Sequence, residues 1–310
     1  MPKTILSFYC DDTNPFVAPA AAFKAFLEFV AAEGIAGESS FIPAYDCYGF
    51  PKPGLTGRPS DENQKAYAEL LPRAYACGVD THFELMTHGG LFDFLSSKTP
   101  PHAVHEGLWL REPAVTLQEY EAYFGNIITE AERIGVRFTG VTEPGCGCEA
   151  CLPRQAELNR LGAPTINPNA WQALLNLARQ GRFRGKTVPC FIGNGKEECS
   201  ARLMASADGC GVYDLSPNLA DKFGLWLNDP GKVDPDYYIT ADGNAGGIVE
   251  QVAKGAPYCL FYCHWQGLNP ANGVGWPAFK EVVARVKKHL RGRVLWQRPR
   301  DYTDQLLAAR

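Results

Sequence analysis

The sequence has no long apolar run and no cluster of lysine and arginine. No apolar stretch in its 310 residues reaches the roughly 18 residues of a membrane-spanning helix. The formal net charge is −4, and charges of both signs are scattered along the chain, which is not the pattern of a nucleic-acid-binding protein. We therefore expect neither a membrane nor a nucleic acid as a partner. The composition gives no indication of an oligomeric state.

Several nucleotide and nucleophile motifs are also missing. There is no P-loop, dinucleotide fingerprint or nucleophile elbow, and the Gly-rich segments 192–198 and 240–247 lack the required spacing. The start, "MPKTILSFYC", has no small-residue cleavage site after it and reads as a strand rather than a signal peptide. A cytoplasmic protein is the expectation from this feature.

Short apolar strands alternate with amphipathic helices along the chain. The strands are expected at 4–10, 39–46, 81–88, 137–143, 187–193, 209–216, 237–240 and 257–265. Helical spacing follows most of them, and several helices close on a glycine, such as Gly34 and Gly78. Seven or eight such units predict an α/β protein, an irregular (β/α) barrel of seven or eight parallel strands. We expect one domain over residues 1–310, with long loops at 49–60 and 95–116.

Polar side chains stand at nearly every predicted strand end, and in a barrel these ends share one mouth. The adjacent Asp11 and Asp12 follow the first strand. Two carboxylates this close raise each other's pKa unless a cation intervenes. A divalent metal resolves the conflict, since one carboxylate can bind it while the other takes a proton from metal-bound water.

Three histidines are candidates for the same mouth. His88 precedes a Gly-Gly pair and is favoured as a metal ligand, whereas His82 can equally be a hydrogen-bonded core residue. His264 ends the last long apolar strand, where an imidazole can donate a proton to a leaving group.

A strand ending in Asp-Asp, a third strand ending in Glu-x-x-x-His and a late strand ending in His resemble the polysaccharide deacetylase family. The resemblance implies a metal-dependent carbohydrate esterase that needs a divalent metal, often zinc, and acts on a carbohydrate substrate. It implies that Asp11 is the catalytic base, Asp12 and His88 are metal ligands and His264 is the general acid. That family places a second His where this chain has Phe92, so Asp93 or His82 is left to complete the site. The Arg-x-Pro motif of the family is absent after strand four.

The loop "PGCGCEACLP" holds Cys146, Cys148 and Cys151 within six residues. Three thiolates at this spacing suit a structural zinc, and the alternatives are a Cys146–Cys151 disulfide or three free thiols.

Two other functions remain open on the sequence. A glycoside hydrolase would use Glu143 with a second carboxylate, Asp214 or Asp11. The other function is carbohydrate binding by a barrel that has lost its catalytic activity. In each case aromatic residues such as Tyr48 and Trp265 would stack on sugar rings, and Asp214 would contact the substrate.

Overall fold

The computed structural model describes residues 3–15, 17–42, 62–85, 105–145, 151–191 and 201–310. Within these ranges nine strands form one sheet. They are β1 (Thr4–Thr13), β2 (Gly37–Phe41), β3 (Val79–Phe83), β4 (Gly140–Thr142), β5 (Thr187–Phe191), β6 (Ala201–Ala207), β7 (Cys210–Leu215), β8 (Tyr258–His264) and β9 (Val294–Trp296).

Ten α helices surround the sheet in the same part of the chain. They are α1 (Ala20–Glu33), α2 (Glu62–Ala74), α3 (Glu106–Trp109), α4 (Leu117–Arg133), α5 (Leu152–Arg160), α6 (Pro168–Arg179), α7 (Gly247–Ala253), α8 (Trp265–Leu268), α9 (Trp276–His289) and α10 (Pro299–Ala308). None of the described helices is both long and apolar enough to cross a membrane.

The sheet is a curled, mostly parallel layer, which confirms the predicted fold class. Its order is β6-β7-β5-β4-β3-β2-β1-β8, and all neighbours from β7 to β8 are parallel. β9 pairs with the first residues of β1, from Thr4 to Leu6, below the point where β2 begins to pair at Phe8. Past β7, the segment 218–219 hydrogen-bonds along β8 and extends the barrel wall there.

Side chains at alternate positions of each strand point to opposite faces of the sheet and pack in two separate apolar layers. In β1, Phe8 and Cys10 pack under the helices in the main core. Tyr9 lies on the opposite, interior face with Phe191 and Leu260. Because side chains alternate with period two, Tyr9 and Asp11 share the interior face. This alternation directs the polar strand ends into the mouth.

α10 closes the bottom of the barrel. The ring of Tyr302 on α10 stacks on Tyr258 of β8 with 4.5 Å between centroids. The Thr187 and Thr303 hydroxyls lie 2.8 Å apart, and the backbone N–H of Arg300 donates to Asp80 on β3 at 2.8 Å. Among the described residues, α10 therefore covers the end of the barrel opposite the strand carboxyl ends.

Two elements differ from the sequence prediction. β6 is an antiparallel edge strand that the sequence analysis did not predict, and it joins β7 through Asp208 and Gly209, whose φ values are 52° and 72°. The predicted strand 237–240 is wrong, since a 3₁₀ turn, Pro235–Tyr237, occupies its start. The predicted loop 49–60 lies outside the described residues, and α3 falls within the predicted loop 95–116.

Candidate metal and active site

Three carboxylates converge where β1, β2 and β3 end side by side. One carboxylate oxygen each from Asp11, Asp12 and Glu84 lies within 4.8 Å of the others. Asp11 and Asp12 are 5% and 4% exposed, and Glu84 is fully buried. Glu84 directly follows β3 and its backbone N–H donates to Phe41 of β2 at 2.9 Å. The parallel register of these strands brings the three groups together.

The backbone of Asp12 explains how two neighbouring residues reach one site. Adjacent strand residues ordinarily point to opposite faces. Asp12 has a φ of 61°, in the left-handed region, and the β1–β2 register shifts between Cys10 and Thr13. The Asn14 side chain holds this turn by donating to the Asp12 carbonyl at 2.8 Å. The local turn lets Asp12 join Asp11 at the mouth.

Neutral donors orient the cluster in the described part of the chain. The Ser40 hydroxyl lies 2.7 Å from both Asp11 Oδ1 and Glu84 Oε2. The backbone N–H of Asp12 donates to Glu84 Oε2 at 3.1 Å, and Gln266 Nε2 donates to Asp12 Oδ2 at 2.9 Å. These bonds fix the carboxylates without adding positive charge.

The cluster fits one divalent cation. Oxygens bound to a single ion at about 2.0–2.5 Å each are separated by no more than about 5 Å, and the three carboxylates meet this limit. An all-oxygen donor set suits hard cations, and an added imidazole suits zinc or manganese as well. Asp12 and Glu84 can hold the ion while Asp11 stays beside it.

A second part of the site lies at the end of β8. His264 pairs in register with Asp11, and its Nδ1 lies 2.8 Å from Asp221 Oδ2. Burial opposes the charged imidazole, but the hydrogen bond to Asp221 and the nearby carboxylates of Asp12 and Asp11 raise the pKa of His264 above its ordinary value. His264 thus keeps its proton to a higher pH than a free histidine, as a general acid requires.

Glu38 and His82 form a buried pair below the carboxylates. Their Oε1 and Nδ1 atoms are 3.5 Å apart, and neither side chain is exposed. Burial raises the pKa of Glu38 and lowers the pKa of His82, so both groups favour their neutral forms. The His82 ring stacks on Phe191. His82 is therefore a buried core residue, and in the described part of the chain it is not among the converging ligand atoms. It differs from the hydrogen-bonded core histidine considered above, because neither ring nitrogen has a described hydrogen-bond partner.

Trp265 does not face the mouth. It is fully buried, and its ring meets the edges of Phe23 and Phe26 on α1 at 5.9 and 5.7 Å between centroids. The prediction that Trp265 contacts a substrate is therefore wrong, because this side chain is a packing residue between β8 and α1.

Asp214 also points away from the barrel interior. Val212 on the same strand packs in the helix-side core and Leu215 packs in the interior cluster, so alternation puts Asp214 on the helix side. Its Oδ2 pairs with Arg202 of β6 at 2.6 Å. The prediction that Asp214 contacts substrate, or works with Glu143 across the mouth, is corrected by this orientation. Glu143 follows β4, where its N–H donates to Phe191 at 2.9 Å.

Other predicted site residues lie outside the described residues: Tyr48, His88, Asp93, Cys146 and Cys148. Cys151 is buried and disulfide-bonded, so its sulfur is not a thiolate that could bind zinc. Disulfides are also more typical of oxidising compartments than of the cytoplasm.

Sequence reasoning gave no role to several residues of the site. Glu84 is the Glu of the Glu-x-x-x-His pattern at the end of the third predicted strand, but no role was assigned to it. Tyr262 was missed although it had a usable signal, because it lies two residues along β8 from His264. Ser40, Asp221 and Gln266 had none, because their roles depend on contacts between distant segments.

No described protein family matches this sequence, and no curated protein matches it. Solved structures do match the fold. The 4-α-glucanotransferase from Thermococcus litoralis is 10% identical with a TM-score of 0.51, over 98% of this chain and 41% of that chain. This chain therefore spans less than half the length of that protein.

Two deacetylases match over longer shares of their own chains. A putative polysaccharide deacetylase from Mycobacterium smegmatis is 11% identical with a TM-score of 0.48, over 99% of this chain and 91% of that chain. A structure described as T48 deacetylase with substrate is 10% identical with a TM-score of 0.45, over 99% and 92%. At these identities the likeness concerns the fold alone, and the glucanotransferase match supports an α/β barrel.

Proposed function

We propose that this chain is a metal-dependent hydrolase that removes an acyl group from an amino sugar or a related carbohydrate. The observation that carries the proposal is the buried group of Asp11, Asp12 and Glu84 facing a histidine on the neighbouring strand. Their arrangement supplies a cation site, a base and an acid at one end of a barrel.

The base is Asp11. Both of its carboxylate oxygens accept from hydroxyl groups, Oδ1 from Ser40 at 2.7 Å and Oδ2 from Tyr262 at 2.8 Å. A carboxylate held in this way keeps a fixed direction and can take a proton from an attacking water. A cation bound by Asp12 and Glu84, with His88 as a further ligand, would polarise the acyl carbonyl and acidify that water.

The acid is His264. Asp221 accepts from both the backbone N–H and Nδ1 of His264, at 3.1 and 2.8 Å, so the proton to be transferred is the one on Nε2. A protonated His264 can then protonate the departing sugar nitrogen or oxygen. Asp11 on β1 and His264 on β8 would then act as base and acid from adjacent strands.

The test measures acetate released from N-acetylchitooligosaccharides and from acetylated xylan, with and without added divalent metal. Asp12→Ala and His88→Ala should lose both metal binding and activity, whereas Asp11→Asn should keep the metal and lose activity. His264→Ala should slow turnover by roughly 10²–10⁴-fold, the usual effect of losing a general acid. Glu250→Gln, an exposed carboxylate on α7, is the control and should behave as the unmodified protein.

The same assay separates the alternatives. A glycosidase would cleave the sugar chain without metal and would lose that activity in Glu143→Gln. A carbohydrate-binding protein would bind the oligosaccharides and release no acetate. Either result would contradict the proposal.

A further inference from the structure

The hydroxyl of Tyr262 lies between the two proton-transfer groups of the candidate site. It donates to Asp11 Oδ2 at 2.8 Å, and it lies 2.8 Å from His264 Nε2. Tyr262 and His264 are two residues apart on β8, so both side chains are on the interior face. No other described hydrogen bond links Asp11 to His264.

The ring of Tyr262 is held on two sides. It stacks on Tyr9 of β1 with 4.8 Å between centroids and an interplanar angle of 21°. Its other contact is the His264 ring, at 4.6 Å and 52°. The packing of the Tyr262 ring against Tyr9 and His264 therefore fixes the position of its hydroxyl group.

The hydrogen bond between His264 and Asp221 determines which ring nitrogen of His264 faces Tyr262. Asp221 Oδ2 accepts from Nδ1, and Asp221 Oδ1 accepts from the backbone N–H of Phe223 at 2.6 Å. An ionised carboxylate only accepts, so Nδ1 carries a hydrogen. Asp11, Tyr262, His264 and Asp221 thus form one continuous chain of hydrogen bonds.

We infer that Tyr262 is a positioning residue that locks Asp11 and His264 into a single arrangement, an inference that rests on the proposed function. Ser40 of β2 holds one oxygen of Asp11 and Tyr262 of β8 holds the other. In the described part of the chain, no lysine or arginine forms an ion pair with Asp11. Two neutral hydroxyls from the strands on either side thus restrict rotation of the Asp11 carboxylate.

Removing the Tyr262 hydroxyl should change the hydrogen bonds of Asp11 and His264 but should leave the affinity for the metal ion unchanged. Tyr262→Phe keeps the ring stack but leaves Asp11 Oδ2 and His264 Nε2 without their shared partner. Neither Asp12 nor Glu84 has a described hydrogen bond to Tyr262. Turnover should therefore fall while metal binding and substrate binding stay the same.

The experiment compares Tyr262→Phe with Tyr120→Phe. Tyr120 is also buried and donates one hydrogen bond, to the Trp109 carbonyl at 2.8 Å, but it lies on α4. Three quantities are measured: kcat and KM for acetate release, the metal Kd by calorimetry, and the ¹⁵N resonances of the His264 ring. In Tyr262→Phe we expect kcat to fall about 10–100-fold, as for a misplaced catalytic group, with KM and the metal Kd within about twofold. The His264 Nε2 resonance should move in Tyr262→Phe and stay in place in Tyr120→Phe.

The outcomes distinguish this inference from the function on which it rests. An unmoved Nε2 resonance together with wild-type kcat in Tyr262→Phe would overturn the role of Tyr262 while leaving the hydrolase intact. A moved resonance in a protein that releases no acetate would reject the hydrolase and retain the contact. A parallel loss of metal affinity, or of folding by circular dichroism, in Tyr262→Phe would also overturn the inference, because it assigns Tyr262 no role in either.

Discussion

At the scale of single residues, the adjacent carboxylates Asp11 and Asp12 are the feature that the sequence and the structure explain together. The residues alone predicted two like charges at a strand end and hence a cation. The structure adds the left-handed turn at Asp12 and the third carboxylate, Glu84. A turn of this kind depends on contacts with Asn14 and β2, so no local pattern in the sequence predicts it.

Gly140 on β4 gives a direct test of the packing below the site. A Cβ at this position would overlap the carbonyl of Pro189 on β5 and the Nε2 atom of His82 on β3. Gly140→Ala should therefore lower the free energy of unfolding by about 1–3 kcal/mol, the usual cost of overpacking. Chemical denaturation measures this change.

Gly125 supplies the matched control for that substitution. It lies in α4, where the nearest described atom outside the helix backbone to an added Cβ is on Leu177, at 3.9 Å. Gly125→Ala should be neutral or stabilising by up to about 1 kcal/mol, because alanine favours the helix. Equal destabilisation by both substitutions would show that His82 is not packed against Gly140.

At the scale of elements, the alternation of strands and helices predicted most of the sheet, because each unit carries its own periodic signal. An exception is β6, whose Asp208-Gly209 turn into β7 is a known hairpin signal, but whose side chains are all partly or fully exposed. The segment 237–240, which begins in the 3₁₀ turn Pro235–Tyr237, resembled a strand because Tyr237, Tyr238 and Ile239 are β-prone. Tertiary contacts decided both cases.

The junction of α10 with β3 predicts a pH-dependent stability. Burial raises the pKa of Asp80 to about 7, against the opposing effects of the Arg300 backbone hydrogen bond and the Arg298 charge. Since the pKa is higher in the folded state, the stabilisation is full below about pH 4 and is lost as the pH rises to about 7. The upper limit of this loss is about 1.4 kcal/mol per pH unit.

Asp80→Asn removes this dependence, because the amide stays neutral and its oxygen can still accept from the Arg300 N–H. The melting temperature of the variant should exceed that of the unmodified protein by more at pH 8 than at pH 4. Glu250→Gln should show the same small difference at both pH values. A gain from Asp80→Asn that is independent of pH would contradict the account.

At the scale of the whole molecule, the barrel explains why distant residues share one site. Asp11 and His264 are far apart in sequence yet lie in register on neighbouring strands, and Asp221 reaches them from the segment after β7. The sequence predicted this convergence from strand ends alone. It could not predict the inward or outward direction of Asp214 and Trp265, because both depend on the register of the strand in the folded sheet.

The proposed function depends on a divalent cation between the ends of β1 and β3, and an anomalous-diffraction map of crystals grown with zinc or manganese would locate such an ion. We expect a peak about 2.0–2.5 Å from a carboxylate oxygen of both Asp12 and Glu84, and no peak in Asp12→Ala crystals. A map with no peak at these carboxylates at saturating metal, or with a peak only elsewhere, would contradict the proposed function.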